Sequence, residues 1–168
     1  NLKTYRVHGL YNELAPGQYT DDTQMSIALY EHLLEQFRYI ESTREIPETV
    51  EKSCNQEKIA DMFLSVFKRD QRKGYSKGFQ TVLEEVSSGK ELIERIEANG
   101  KTTSNGAAMR AIPAGIMVEE ERFVIALAEA QGTITHQGTG ILAAKAVALA
   151  ANYLWFKRGA IHYLPEFI

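Results

Sequence analysis

Thr20-Asp21-Asp22-Thr23, followed by Gln24-Met25-Ser26-Ile27-Ala28-Leu29 and on to Tyr39, is the stretch that decides the architecture. From Asp22, the apolar residues Met25, Ile27, Ala28, Leu29, Leu33, Leu34 and Phe37 return at three- and four-residue spacing, which predicts a helix with one buried face. The two carboxylates sit where a loop carrying Pro16 and Gly17 runs into that helix. Adjacent residues inside a helix point roughly 100° apart and cannot meet at one point. At a helix start the chain is still turning, so Thr20, Asp21 and Asp22 can converge there, or each Asp can serve its own ion. Oxygen-only ligands suit a hard cation such as Mg²⁺. The plainer reading is a capping box, Asp21 with Gln24 three residues on, at a helix start that favours acidic residues anyway.

The same helical period recurs along the chain. Ile59, Ala60, Met62, Phe63, Val66 and Phe67 give a second helix after a polar segment, 41–55, with Pro47 as a helix-start or turn residue. Lys68 to Gly78 is a charged connection. Phe79, Val82, Leu83 and Val86 give a short third helix stopped near Gly89. Leu92, Ile93 and Ile96 give a fourth, stopped at Asn99-Gly100. Phe123 to Ala130 forms a helix led by Glu119, Glu120 and Glu121, and an alanine-rich helix runs from about 139 to 157. Residues 1–19, with Gly9, read mostly as loop. No alternating strand pattern of useful length occurs. The expected fold is all-α, a single helical domain over residues 1–168.

Composition narrows the function classes. The 168 residues are 44% hydrophobic and 24% charged with a formal charge of −3, which gives no basic excess for nucleic acid. The most apolar run, Ile141 to Phe156, is interrupted by Lys145 and Asn152 and falls short of the ~20 residues of a spanning helix. No membrane partner is expected. Cys54 is the only cysteine, so no internal disulfide can form, and a cytoplasmic setting is expected.

Two further loops carry polar groups to helix starts. Ser104-Asn105-Gly106 has small side chains and free N–H groups suited to phosphate, or is an ordinary capping turn. His136, between Thr135 and Gln137-Gly138, is either a neutral imidazole facing a polar ligand or a capped surface histidine. Gly132, Gly138 and Gly140 give it a loop that a ligand can approach closely. If the three helix starts meet, one cavity gains hard-cation ligands, phosphate donors and an imidazole.

Taken together, four segments resemble the ADP-ribosylglycohydrolase family. They are Gly17-Gln18-Tyr19-Thr20-Asp21-Asp22-Thr23-Gln24-Met25, then Gly74-Tyr75-Ser76-Lys77-Gly78-Phe79. Ser104-Asn105-Gly106-Ala107-Ala108-Met109-Arg110-Ala111-Ile112-Pro113-Ala114-Gly115 follows, and then Thr135-His136 with the alanine-rich helix. The resemblance covers about residues 9 to 157. It implies an all-helical fold with two Mg²⁺ ions in a central cleft and hydrolysis at the anomeric carbon of ADP-ribose, commonly its link to a protein side chain. It implies Thr20, Asp21 and Asp22 as half of the metal cage, and Ser104, Asn105, Gly106 and His136 as ADP-ribose contacts. No catalytic residue is identified in this chain.

The resemblance also implies a Gly-Asp-Ala-containing helix upstream and an Asp-x-Asp-Thr or Asp-x-Asp-Ser motif downstream. Neither stretch is in this sequence, and no Asp follows Asp70. The chain is therefore expected to be an internal piece of a longer hydrolase, or a degenerate member that is inactive as it stands. The alternative is a non-catalytic helical protein that binds ADP-ribose or serves a structural role.

Overall fold

A computed structural model describes residues 14–15, 17–43 and 54–168, with nothing described for the side chains of 39–43. The expectations for Gly9, Pro16, Pro47 and the segment 44–53 lie outside the described residues. Among the described residues the elements are α1 (Asp21–Thr43), α2 (Gln56–Arg69), α3 (Lys77–Glu85), α4 (Gly89–Asn99), α5 (Gly106–Met109), α6 (Ile112–Met117), α7 (Glu121–Thr133) and α8 (Thr139–Trp155). A 3-10 turn (Ile161–Tyr163) and α9 (Leu164–Phe167) complete them. Apart from one isolated parallel bridge between Thr102 and His136, no strand occurs among these residues. The fold class is all-α.

The apolar stripes do what their spacing predicts. Met25, Ala28, Leu29 and Leu33 of α1 are buried, and so are Ile59, Ala60, Phe63, Leu64, Val66 and Phe67 of α2, the helix α1 packs against. Phe37 lies on the predicted stripe but is 38% exposed. One contiguous core joins these residues to Val82 and Leu83 of α3, Leu92 and Ile96 of α4, and Ala144 and Ala148 of α8.

Helix ends are set locally. Asn55 caps α2 by accepting the Lys58 N–H at 3.0 Å, and Ser88 caps α4 by accepting the Glu91 N–H at 3.2 Å. α4 stops at Gly100, whose φ of 88° lies in the left-handed region that glycine tolerates. Gly89 was expected to end α3, but it opens α4. Its missing side chain lets α4 lie against α2, because a Cβ there would run into the Glu57 carbonyl and the Asp61 amide.

α8 is the central post, touching α5, α6 and α7. Small residues make this possible. A Cβ on Gly115 of α6 would overlap the Ala148 carbonyl and stand 2.9 Å from the Asn152 amide nitrogen. Buried Asn152 then donates to the carbonyls of Gly115 (3.0 Å) and Val118 (2.7 Å), satisfying the end of α6. No helix of the described residues is long and apolar enough to cross a membrane.

Candidate functional site

A cavity of about 420 Å³ opens where the start of α1, the start of α3 and the loops around α5 and α8 meet. Asp21, Asp22, Ser104, Asn105, Gly106 and His136 all line it, although they are spread over more than a hundred residues of sequence. Thr20 is not on the lining. It adjoins Asp21 at the entry to α1.

The acidic wall is built by the segment before α3. The Asp21 N–H donates to the Lys73 carbonyl at 2.9 Å. Gly74, with φ 117°, lies directly under the Asp21 carboxylate. Burial raises the pKa of Asp21 above the ordinary 3.8, and repulsion by Asp22 raises it further. Burial raises Asp22 as well, with the Arg110 charge opposing. Two adjacent, partly desolvated carboxylates make an oxygen-only donor set that fits a hard divalent cation. Among the described residues, no group of three or more His, Cys, Asp or Glu side chains converges to hold a metal.

Gln24 is not the second half of a capping box. It is fully buried, donating to the Asp70 and Val66 carbonyls and accepting the Tyr75 hydroxyl at 2.7 Å. These bonds tie the first turn of α1 to the end of α2 and to Tyr75, which also lines the cavity. Outside them, Asp70 accepts from the Tyr19 hydroxyl at 3.0 Å and from the Arg72 guanidinium, which stacks 4.4 Å over the Tyr19 ring.

The opposite wall is a clamp around Ala107. His136 is 5% exposed, and its Nε2 accepts the Ala107 N–H at 3.3 Å. Gln131, fully buried in α7, donates to the Ala107 carbonyl at 2.9 Å. Arg110 stands behind both, with Nε donating to Gln131 Oε1 (2.6 Å) and Nη2 to the Gln131 carbonyl (2.9 Å) and Thr135 Oγ1 (2.7 Å). Its guanidinium lies 4.8 Å over the Phe63 ring, and burial lowers its pKa to about 10, still charged at neutral pH. Burial, with Arg110 nearby, brings His136 down to about 4, so the ring is neutral.

The helix after Ser104-Asn105-Gly106 is only four residues long, so it offers little dipole to an anion. Two of the N–H groups that a helix start leaves free are used, since that of Ala107 reaches His136 Nε2 and that of Ala108 the Asn105 carbonyl. The glycines around His136 also divide differently from expectation. Gly132 is inside α7 and Gly140 inside α8, where it gives room to the His136 ring, and only Gly138 (φ 54°) is a loop glycine.

A model of the ADP-ribosylglycohydrolase family matches residues 2–167. The chain belongs to the ADP-ribosylglycohydrolase family. A curated relative, "ADP-ribosylhydrolase ARH3" of Xenopus tropicalis, is 29% identical over 141 residues, covering 80% of this chain. The chain spans 36% of that relative's length. The ADP-ribosylglycohydrolase segments named from sequence now have positions. Three of them, around Asp21, around Tyr75 and from Ser104 to Arg110, supply cavity walls directly, and the fourth supplies Thr135 and His136.

Arg110, Gln131 and Gly74 are site-building residues that sequence reasoning quoted or passed over without a role. A signal existed for Arg110: a lone charge inside the apolar run Ala107 to Ile116 has to be either buried and bonded or a break in the pattern.

Proposed function

We propose that this chain carries part of the active site of a hydrolase that releases ADP-ribose from a modified protein side chain or a related conjugate. The observation that carries the reading is the shared cavity: the Asp21–Asp22 pair on one wall and the Ser104–Gly106 turn with His136 on the other. The cavity volume is in the range of small-molecule sites. Family membership supports ADP-ribose chemistry in general.

Asp21 and Asp22 would hold Mg²⁺, with Thr20 beside them in the chain. The bound ion would orient ribose hydroxyls or a water and offset developing charge. Ser104, Asn105 and Gly106 line the cavity as contacts for ADP-ribose. His136, held by bonds at both ring nitrogens, lines the cavity beside the turn and fixes its shape. A cytoplasmic location belongs to the same reading, supported by the single cysteine.

Calorimetry on the 168-residue chain with ADP-ribose, with and without Mg²⁺, tests the proposal. Binding that strengthens with Mg²⁺ and weakens by an order of magnitude in Asp21→Asn or Asp22→Asn is expected. Binding indifferent to both favours the alternative, a non-catalytic ADP-ribose-binding protein. In a form as long as the relatives, undiminished release of ADP-ribose by both variants would refute the metal assignment.

A further inference from the structure

The segment between α2 and α3 is neither helix nor strand, yet it carries both groups that seat Asp21, the Lys73 carbonyl and Gly74. Without a ladder of its own, such a segment is only as firm as the bonds that tie it down. One buried side chain supplies a tie at each end. Gln24 Nε2 donates to the Asp70 carbonyl, where the segment begins, and to the Val66 carbonyl at 3.4 Å. Gln24 Oε1 accepts the Tyr75 hydroxyl at 2.7 Å, where the segment ends. The direction is fixed by chemistry. A carbonyl oxygen can only accept, so the amide nitrogen faces Asp70, and the amide oxygen is left for a hydroxyl that must donate to it. The Tyr75 ring is itself wedged, with centroids 5.4 Å from Phe67 and 5.7 Å from Phe79. Gln24 follows Asp21 by three residues, so both leave the same side of α1 and meet the same segment.

We propose that Gln24 is the positioning residue of the acidic pair: by spanning Asp70 and Tyr75 it pins the 70–75 segment beneath α1 and so sets how firmly Asp21 is presented to a divalent cation. Gln24 is fully buried and is not on the cavity lining, so it acts through the segment and not on a ligand. A second tie exists on the outside, where the Asp70 carboxylate accepts from Tyr19 and Arg72. Its Asp70 and Arg72 side chains are 41% and 22% exposed, and a charge pair in reach of water holds little. The inner tie is dry, so a partner left unbonded there costs its full desolvation. The cation rests on the hydrolase reading above; the pinning of the segment does not.

Amide hydrogen exchange on the metal-free 168-residue chain reads the pin directly. The Asp21 amide, bonded to the Lys73 carbonyl, should exchange about tenfold faster relative to the Phe63 amide of α2 in both Gln24→Met and Tyr75→Phe. An unchanged ratio means that only overall stability was lost and overturns the proposal. Mn²⁺ titration followed by electron paramagnetic resonance reads the consequence. Each variant should bind Mn²⁺ about fivefold more weakly, and the double variant no more weakly than Gln24→Met, because all three break one tie. Losses that multiply in the double variant mean that the two residues act separately and overturn it. Tyr19→Phe cuts only the outer tie and should change Mn²⁺ affinity less than about twofold. A loss as large as that of Gln24→Met gives the holding to the outer tie and overturns the proposal. If no form binds Mn²⁺ while Asp21 exchange rises as expected, the metal reading falls and the pinning stands.

Discussion

Gly74 sits so close beneath Asp21 that a Cβ built on it would overlap Oδ1 and stand 2.7 Å from Cγ. The glycine is required twice over, because its φ of 117° also excludes ordinary side chains. Gly74→Ala should therefore turn the Asp21 carboxylate out of place. Titration with Mn²⁺ followed by electron paramagnetic resonance should show at least about tenfold weaker binding, with a loss of roughly 1–3 kcal/mol in chemical denaturation. Unchanged Mn²⁺ affinity would mean that the cradle does not aim the carboxylate.

Asp21 is held in a place that disfavours its own charge. Its pKa is raised in the folded chain, so folding binds protons there and the metal-free protein gains stability as pH falls through the raised value toward 3.8. Replacing the charge does the same at neutral pH. Asp21→Asn should melt roughly 1–3 °C higher than the parent without divalent cation, a small gain because half-exposed groups are screened. A lower melting temperature would contradict the repulsion between the two carboxylates.

His136 works in the opposite direction. Its pKa falls from 6.5 to about 4 on folding, so the unfolded chain binds the proton more tightly. The stability it contributes is fully present above pH 6.5 and is lost as pH falls toward 4. Urea titrations between pH 7 and pH 4 should show a decline that is smaller in His136→Asn. Identical pH slopes for the two proteins would place the imidazole in open water.

The α6–α8 contact predicts a purely structural effect. Gly115→Ala drives a methyl group into the Ala148 carbonyl, and Asn152 is bonded to the same turn. A loss of about 1–3 kcal/mol in urea unfolding is expected, with overpacking as its cause. A neutral result would show that the two helices can slide apart.

What was legible in the sequence was local. The stripe Ile59 to Phe67 and the stop at Asn99-Gly100 depend on neighbours a few residues away, and both stand in the structure. Gly89 was misread because its role depends on Glu57 and Asp61 in another helix. Gln24 looked like a cap because Asp21 precedes it by three, but Val66, Asp70 and Tyr75 claim its amide. The candidate residues Asp21, Asp22, Ser104 and His136 stood out as polar groups at helix starts. Arg110 and Gln131 did not, since nothing in the order of residues says that a cation and an amide will be closed inside and bonded to each other.

The cavity walls come from stretches that the chain brings together only by folding: Asp21 to Met25, Tyr75 to Phe79, Ile96 to Arg110, and Thr135 with His136. Any guest touching two of them is a rivet between distant parts of the polymer. It must be released before the chain can come apart, so its concentration enters the unfolding equilibrium directly. A guest at a hundred times its dissociation constant adds about 2.7 kcal/mol to the work of unfolding. The melting curve of the whole molecule can thus report what fills this cavity, before any chemistry is assayed.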